Sequence, residues 1–266
     1  MSMLARNKQR AVLCILACAA LCGAAPVVAA DAPAASDAYA AAVAHPGRSA
    51  DDLKRDPVDH PADVLRLSGI KPGMQVADFF AADGYYSELL SYLVGPRGHV
   101  LLLNNAGYDK FVKHAWKERI EHQHLGNVEH RTVDPEHMGL ADASLDAVLM
   151  IKVYHDLYWV DPANGWNKID VGAVLEQIRK ALKPGGVVLL VDHSAKAGTG
   201  SADAGRLHRI DEAFMREDFA AHGFEVAAKS DLLRRPDDKR ELISYKPPAV
   251  GQTDRFIYVL RKKKDG

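Results

Sequence analysis

The sequence predicts an α/β fold, a Rossmann-like doubly wound sheet of seven strands, mostly parallel with an antiparallel terminal strand. Three observations carry that expectation. From Pro61 onward, short apolar runs alternate with stretches whose apolar residues recur at helical spacing, the pattern of a parallel sheet covered on both faces. Val187 to Val191 is a continuous apolar run of the kind a central parallel strand requires. The final apolar runs, Phe224 to Ala228 and Phe256 to Leu260, are separated by a long polar segment, which suits a terminal antiparallel pair rather than another crossover.

The first strand is expected over Gln75 to Phe79, followed by a helix from about Tyr85 to Val94 in which Tyr86, Leu89, Leu90 and Leu93 share one face. Gly95-Pro96-Arg97-Gly98 ends that helix and turns the chain into a second strand, His99 to Leu103. One helix carrying Phe111, Ala115, Trp116 and Ile120 then leads to a third strand, Val128 to Val133. A fourth strand spans Ala147 to Ile151. A helix from about Val171 to Leu182 is stopped by Lys183-Pro184-Gly185-Gly186, and another runs from about Arg209 to His222.

Residues 1–30 read as a secretory signal. Arg6, Lys8 and Arg10 form a basic n-region, Ala11 to Leu21 an apolar core, and Val28-Ala29-Ala30 a small-residue cleavage site. The apolar run falls short of the ~20 residues that cross a bilayer, so a membrane anchor is disfavoured. Ile15-Leu16-Ala17 before Cys18 leaves a lipoprotein variant open. The expected product is soluble, periplasmic or secreted, with no stable membrane insertion after cleavage. The three cysteines, Cys14, Cys18 and Cys22, all lie in the signal, so the mature chain has no disulfide, thiol nucleophile or thiolate metal site. Removing the three basic signal residues from 34 leaves 31 against 35 acidic residues, a net charge of −4 that argues against nucleic acid as the main partner. Residues 31–60 are expected to be a flexible leader, rich in Ala, Pro, Ser and Asp to about Ala44, followed by an N-terminal helical segment.

The segment Val76 to Leu90, VADFFAADGYYSELL, holds the chemistry-bearing loop. A strand that ends in an acidic residue and turns directly into a helix sets backbone N–H groups and the positive helix end at the carboxyl edge of the sheet. Ligands of doubly wound sheets bind there. Asp78 with its Gly84 turn, the run Leu93 to Val100, the run Leu140 to Val148 and Leu182 to Gly186 occur in order at consistent intervals. Together they resemble the class I S-adenosylmethionine-dependent methyltransferases, most closely a bacterial group of predicted methyltransferases with signal peptides. Tyr154-His155-Asp156, Asp192-His193 and Thr253-Asp254-Arg255-Phe256 are further features of that group. The resemblance covers about Pro61 to Lys262 and makes residues 61–266 a methyltransferase-like domain.

The resemblance implies S-adenosylmethionine as cofactor and a small molecule as methyl acceptor. Against the family's DxGxGxG motif the chain keeps Asp78 and Gly84 but carries Phe80 and Ala82 at the first two glycine positions, where a ring adds bulk and backbone freedom is lost. Asn104 or Asn105 stands where an acidic residue grips the ribose, and Asp134 where the adenine amino group is contacted, unless it serves only as a turn residue before Pro135. Lys152 is placed at the methionine end of the pocket, or in solvent. Cofactor binding is thus expected of Asp78, Phe80, Ala82, Gly84, Asn104, Asp134 and Lys152. After the fourth strand, the resemblance sets Tyr154, His155 and Asp156 toward the transferred methyl group, with His155 as base and Asp156 fixing its tautomer; the alternative is that His155 caps the strand and Asp156 starts the next segment. His193, Tyr158 and Trp159 are candidates for substrate contact, the last two as part of a lid that has loop packing as its alternative. No metal site is expected, because Glu121-His122-Gln123-His124 does not present its histidines on one helical face. A non-catalytic binding protein, with Phe80 and Ala82 reshaping the cleft, is the second reading. A nicotinamide-dependent oxidoreductase is a distant third, since the last glycine of GxGxxG would fall on Ser87.

Overall fold

Among the described residues three helices precede the sheet, and the first two begin where a side chain replaces a missing backbone partner. In α1 (Ala38–Val43) the Asp37 carboxylate accepts from the N–H groups of Tyr39 and Ala40, and in α2 (Ala50–Asp59) Ser49 accepts from Asp52. Pro61 opens α3 (Pro61–Ser68), after His60 takes a left-handed conformation at φ 46°. The computed structural model describes residues 37–263, all in the compact unit that starts at Asp37. The signal expected over residues 1–30 lies outside the described residues, as does the start of the leader. From Asp37 to Ala44 the flexible reading gives way to structure. Ala-rich α1 packs Ala42 against the core, and the Tyr39 hydroxyl donates to the Ile70 carbonyl at 2.9 Å.

β1 (Gln75–Phe79) and α4 (Tyr85–Val94) fall at the expected bounds. Gly84 joins them at φ 85°, and a Cβ there would lie 2.9 Å from Leu102 Cδ1. After β2 (His99–Asn104) the single helix expected around Phe111 to Ile120 is two, α5 (Ala106–Phe111) and α6 (Ala115–His122). Lys113 and His114 adopt left-handed angles between them, an interruption that apolar spacing does not reveal. β3 (Val128–Thr132), β4 (Leu145–Ile151) and α7 (Val171–Ala181) follow. β5 (Leu182–His193) starts five residues earlier than its apolar run, with a bulge that sets Lys183 to Gly186 opposite Asp146. The chain ends through α8 (Ala204–Leu207), α9 (Glu212–Ala221), β6 (Phe224–Ser230) and β7 (Arg255–Lys262).

The strand order is β3-β2-β1-β4-β5-β7-β6, parallel except for β7, which runs antiparallel between β5 and β6. Two apolar clusters cover the sheet, one built around Leu89, Leu149 and Leu189 and the other around Val148, Leu190 and Phe219. Strand order reverses between β1 and β4, so the loops leaving their carboxyl ends diverge and leave a crevice. No helix among the described residues is long and apolar enough to cross a membrane.

Candidate functional site

The loop after β1 answers the loss of its glycines directly. Phe80, Ala82 and Gly84 lie at φ 52°, 55° and 85°, so the backbone keeps the left-handed conformation at all three motif positions even where the side chain is not hydrogen. Such angles cost about 1–2 kcal/mol per non-glycine residue and persist only if the surroundings impose them. Asn104 at the end of β2 does so. Its amide donates to the Ala82 carbonyl and accepts from the Ala82 N–H, both at 2.9 Å, while Arg119 of α6 donates to the Asp83 carbonyl at 2.8 Å. The Phe80 ring is buried, stacked on Phe79 at 4.2 Å and lying 4.9 Å from the Tyr108 ring, which in turn meets Trp166. The ring therefore packs beneath the loop while its edge forms one wall of a cavity of about 270 Å³.

Across that cavity stands a carboxylate gripped by three cations. Asp59, the last residue of α2, accepts from Arg55 Nε at 2.6 Å, from Lys152 Nζ at 2.9 Å and from Arg255. Burial resists its charge, but Lys152, Arg55 and Arg255 outweigh it and hold the carboxyl far below the usual range. Burial, reinforced by the neighbouring Arg55 charge, pulls Lys152 down to about 8. Lys152 is itself at φ 62°, a left-handed turn that throws the chain from β4 into a short 3-10 turn over His155–Tyr158. Arg255 also donates to the Val58 carbonyl, yet its buried Nε has no partner among the described residues. Asp78, on the cavity floor with Ser87 Oγ donating to it at 2.7 Å, is pushed up to about 7 by burial.

The third wall is imidazole and carboxylate. His155 Nδ1 lies 2.7 Å from Asp192 Oδ1, and the His155 backbone N–H donates to the other oxygen at 2.9 Å. Burial works against a charged ring, but Asp156 and Asp192 prevail and push it up to about 10. His193, hydrogen-bonded to Thr253 Oγ1 at 2.8 Å, is driven well below its ordinary value by burial and by the His155 charge.

The cavity thus gathers Asp78, Phe80, Ala82, Lys152, His155, Asp156 and His193 of the residues singled out from sequence. It does not gather Gly84, Asn104, Asp134, Tyr154, Tyr158 or Trp159. Asn104 is fully buried and spent on the loop, with Asp109 as a further partner. Asp134 is exposed, bound to His137, and lines a separate groove with Asn105 and Gly165. Tyr154 and Tyr158 both donate to Asp218 of α9 and so anchor the 3-10 turn. Trp159 packs on Trp166 and against His208. Sequence reasoning missed Arg55 and Asp59, which come from a helix ahead of the resembling region. It also assigned no role to Tyr108, Asp192, His208 or Arg255. Of these, Asp192 and Arg255 stood inside quoted motifs, whereas nothing marked His208.

A seven-stranded sheet with this order and a loop of this form after β1 define a class I methyltransferase fold. Residues 70–231, more than half of the chain, match the Methyltransferase domain family, and the chain belongs to it. Membership implies S-adenosylmethionine as the cosubstrate. A ubiquinone/menaquinone biosynthesis C-methyltransferase UbiE of Shewanella sp. (strain ANA-3) is 27% identical over 183 residues, covering 68% of this chain and 62% of that protein. The UbiE of Teredinibacter turnerae is 26% identical over 132 residues, 49% and 47% of the two chains, so this chain spans about half to three fifths of the length of these relatives. The crystal structure of an S-adenosylmethionine-dependent methyltransferase from Aquifex aeolicus aligns over 80% of this chain and 94% of its own, at 22% identity and a TM-score of 0.58.

Proposed function

We propose that the protein transfers the methyl group of S-adenosylmethionine to a small-molecule acceptor in this cleft, and that it works outside the cytoplasm. The observation that carries the reading is the loop after β1, where three alternate residues hold the left-handed backbone of a glycine motif although two are not glycine. Strain of that kind is retained where a backbone shape is needed.

The cavity residues fit the cosubstrate unevenly. At the β4–β5–β7 end, Arg55, Lys152 and Arg255 outnumber Asp59, and the unpartnered Arg255 Nε suits a carboxylate such as that of the methionine moiety. The adenosine end is narrower. A volume of about 270 Å³ lies just below the ~300–1,000 Å³ of small-molecule sites, and Phe80 and Tyr108 line it on the β2 side, with Trp166 packed edge-on against Tyr108. Admission of the whole cosubstrate therefore requires that aromatic wall to swing aside.

When bound, the cosubstrate would supply an electrophilic methyl on a sulfonium. Asp78 would give up its proton to face that cation, the Asp59 cluster would orient the carboxylate, and the His155–Asp156 edge would hold the acceptor. In-line transfer needs little beyond alignment and exclusion of water, so positioning is the main contribution of the chain. Calorimetry with S-adenosylmethionine and S-adenosylhomocysteine tests the reading, and absence of heat and of a thermal shift at millimolar ligand overturns it. The signal reading of residues 1–30 supports export to the periplasm or medium. N-terminal sequencing of the secreted product should start at Asp31.

A further inference from the structure

We propose that His155 Nε2, Asp156 Oδ1 and His208 Nδ1 bind a divalent first-row transition cation of the zinc type at the edge of the cavity. The three ligand atoms lie within 4.8 Å of one another, and each histidine nitrogen is 3.2 Å from the shared Asp156 oxygen. Ligands held tetrahedrally at ~2.0–2.2 Å from zinc stand about 3.3–3.5 Å apart, so both edges are close to the length a coordination shell needs. A charge-assisted N–H···O bond is shorter, ~2.7–2.9 Å, as the 2.7 Å contact between His155 and Asp192 illustrates.

The surroundings aim each ligand. Asp192 takes Nδ1 and the backbone N–H of His155, which fixes the ring and turns Nε2 toward Asp156, the arrangement of a carboxylate that orients a metal-bound histidine. Tyr108 donates to Asp156 Oδ2 and leaves Oδ1 to the histidines. His208 follows α8 at φ 50°, with the Trp159 and Tyr245 rings at 4.8 and 4.7 Å setting its plane. Two imidazoles and one carboxylate suit zinc, iron, cobalt or manganese rather than calcium or magnesium, which take oxygen. All three residues line the cavity, so further coordination positions face open space, as in catalytic rather than structural sites. Use of those positions to hold an acceptor oxygen rests on the methyl-transfer reading, whereas cation binding does not.

The test is titration of the chelator-treated protein with Co²⁺, followed by visible absorption, and with Zn²⁺ by competition. One equivalent is expected, with affinity lowered at least ~10-fold in His208→Gln and Asp156→Asn and ~10–100-fold in Asp192→Asn. The His122→Ala/His124→Ala double variant should titrate as wild type, which separates this site from exposed histidines. Far-UV circular dichroism checks each variant. If Asp156→Asn does not fold, His208→Gln, whose side chain is partly exposed, decides alone. No bound Co²⁺ or Zn²⁺, or wild-type binding by His208→Gln, overturns the proposal, and either result leaves the S-adenosylmethionine calorimetry unaffected.

Discussion

The two ends of the cleft are built from opposite materials. Around β4, β5 and β7 the wall is ionic, with Asp59 joined to three cations and Asp192 and Asp156 flanking His155. Around β1 and β2 it is aromatic, with Phe80 and Tyr108 on the wall, backed by Phe79 stacked on Phe80 and by Trp166 edge-on to Tyr108. Buried charges demand matched partners, so the ionic end holds one arrangement and fails sharply when a partner is removed. Rings held by dispersion have no such requirement, and of these four only Tyr108 is tied to the ionic side, through the bond its hydroxyl donates to Asp156. Rigidity therefore lies at the ionic end and adaptability at the aromatic end.

The largest effect should follow from breaking the ionic end. Asp59→Asn leaves Arg55, Lys152 and Arg255 without their shared anion and should cost about 3–5 kcal/mol in urea unfolding. At the aromatic end, Phe80→Gly relieves a left-handed residue but removes a buried ring. Loss of a core phenyl at ~3–5 kcal/mol exceeds the ~1–2 kcal/mol of strain, so the variant should be about 1–4 kcal/mol less stable although glycine is the family residue.

Asp78 sharpens the contrast through pH. Its carboxyl, raised from 3.8 to about 7, keeps in the folded state a proton that the unfolded chain has released. Its contribution is therefore fully present below about pH 4 and is lost as pH rises toward 7, at about 1.4 kcal/mol per unit. Denaturation profiles of wild type and Asp78→Asn should diverge with that slope, and parallel profiles would show the group to be ionised throughout. Ala82→Gly carries the strain argument without a ring and should stabilise by up to about 1 kcal/mol, read as a rise in melting temperature. Asp134→Ala should do least, within ~0.5 kcal/mol of stability and with S-adenosylmethionine affinity unchanged by calorimetry, because the side chain is exposed and lies outside the cavity.

Much of the site was legible where strand ends carry it. Asp78 and His193 lie at the carboxyl ends of β1 and β5, Lys152 and His155 just past β4, and the strand-to-loop pattern alone puts such residues at one edge of a sheet. Asn104 was legible in position but not in use. Its amide turned inward because the Ala82 peptide, held in a strained turn, needed both a donor and an acceptor. Arg55 and Asp59 were not legible, since a helix before the first strand announces nothing about which crevice it will cover. His208 sits in a loop after a four-residue helix, where neither period nor motif operates.

Local chemistry therefore determined by itself what repeats along the chain: the alternation of strand and helix, the bounds of β1 and α4, and the acid and glycine that frame the first loop. Apolar periodicity and turn residues act over a few positions, and that range is enough for elements. Only the tertiary structure decided that Phe80 packs under the loop, that α2 delivers Asp59 to Lys152 and Arg255, and that His208 comes within 3.2 Å of Asp156 across 52 positions of sequence. Those choices depend on which buried charge and which ring find partners when distant segments meet, and spacing along the chain does not encode that free energy.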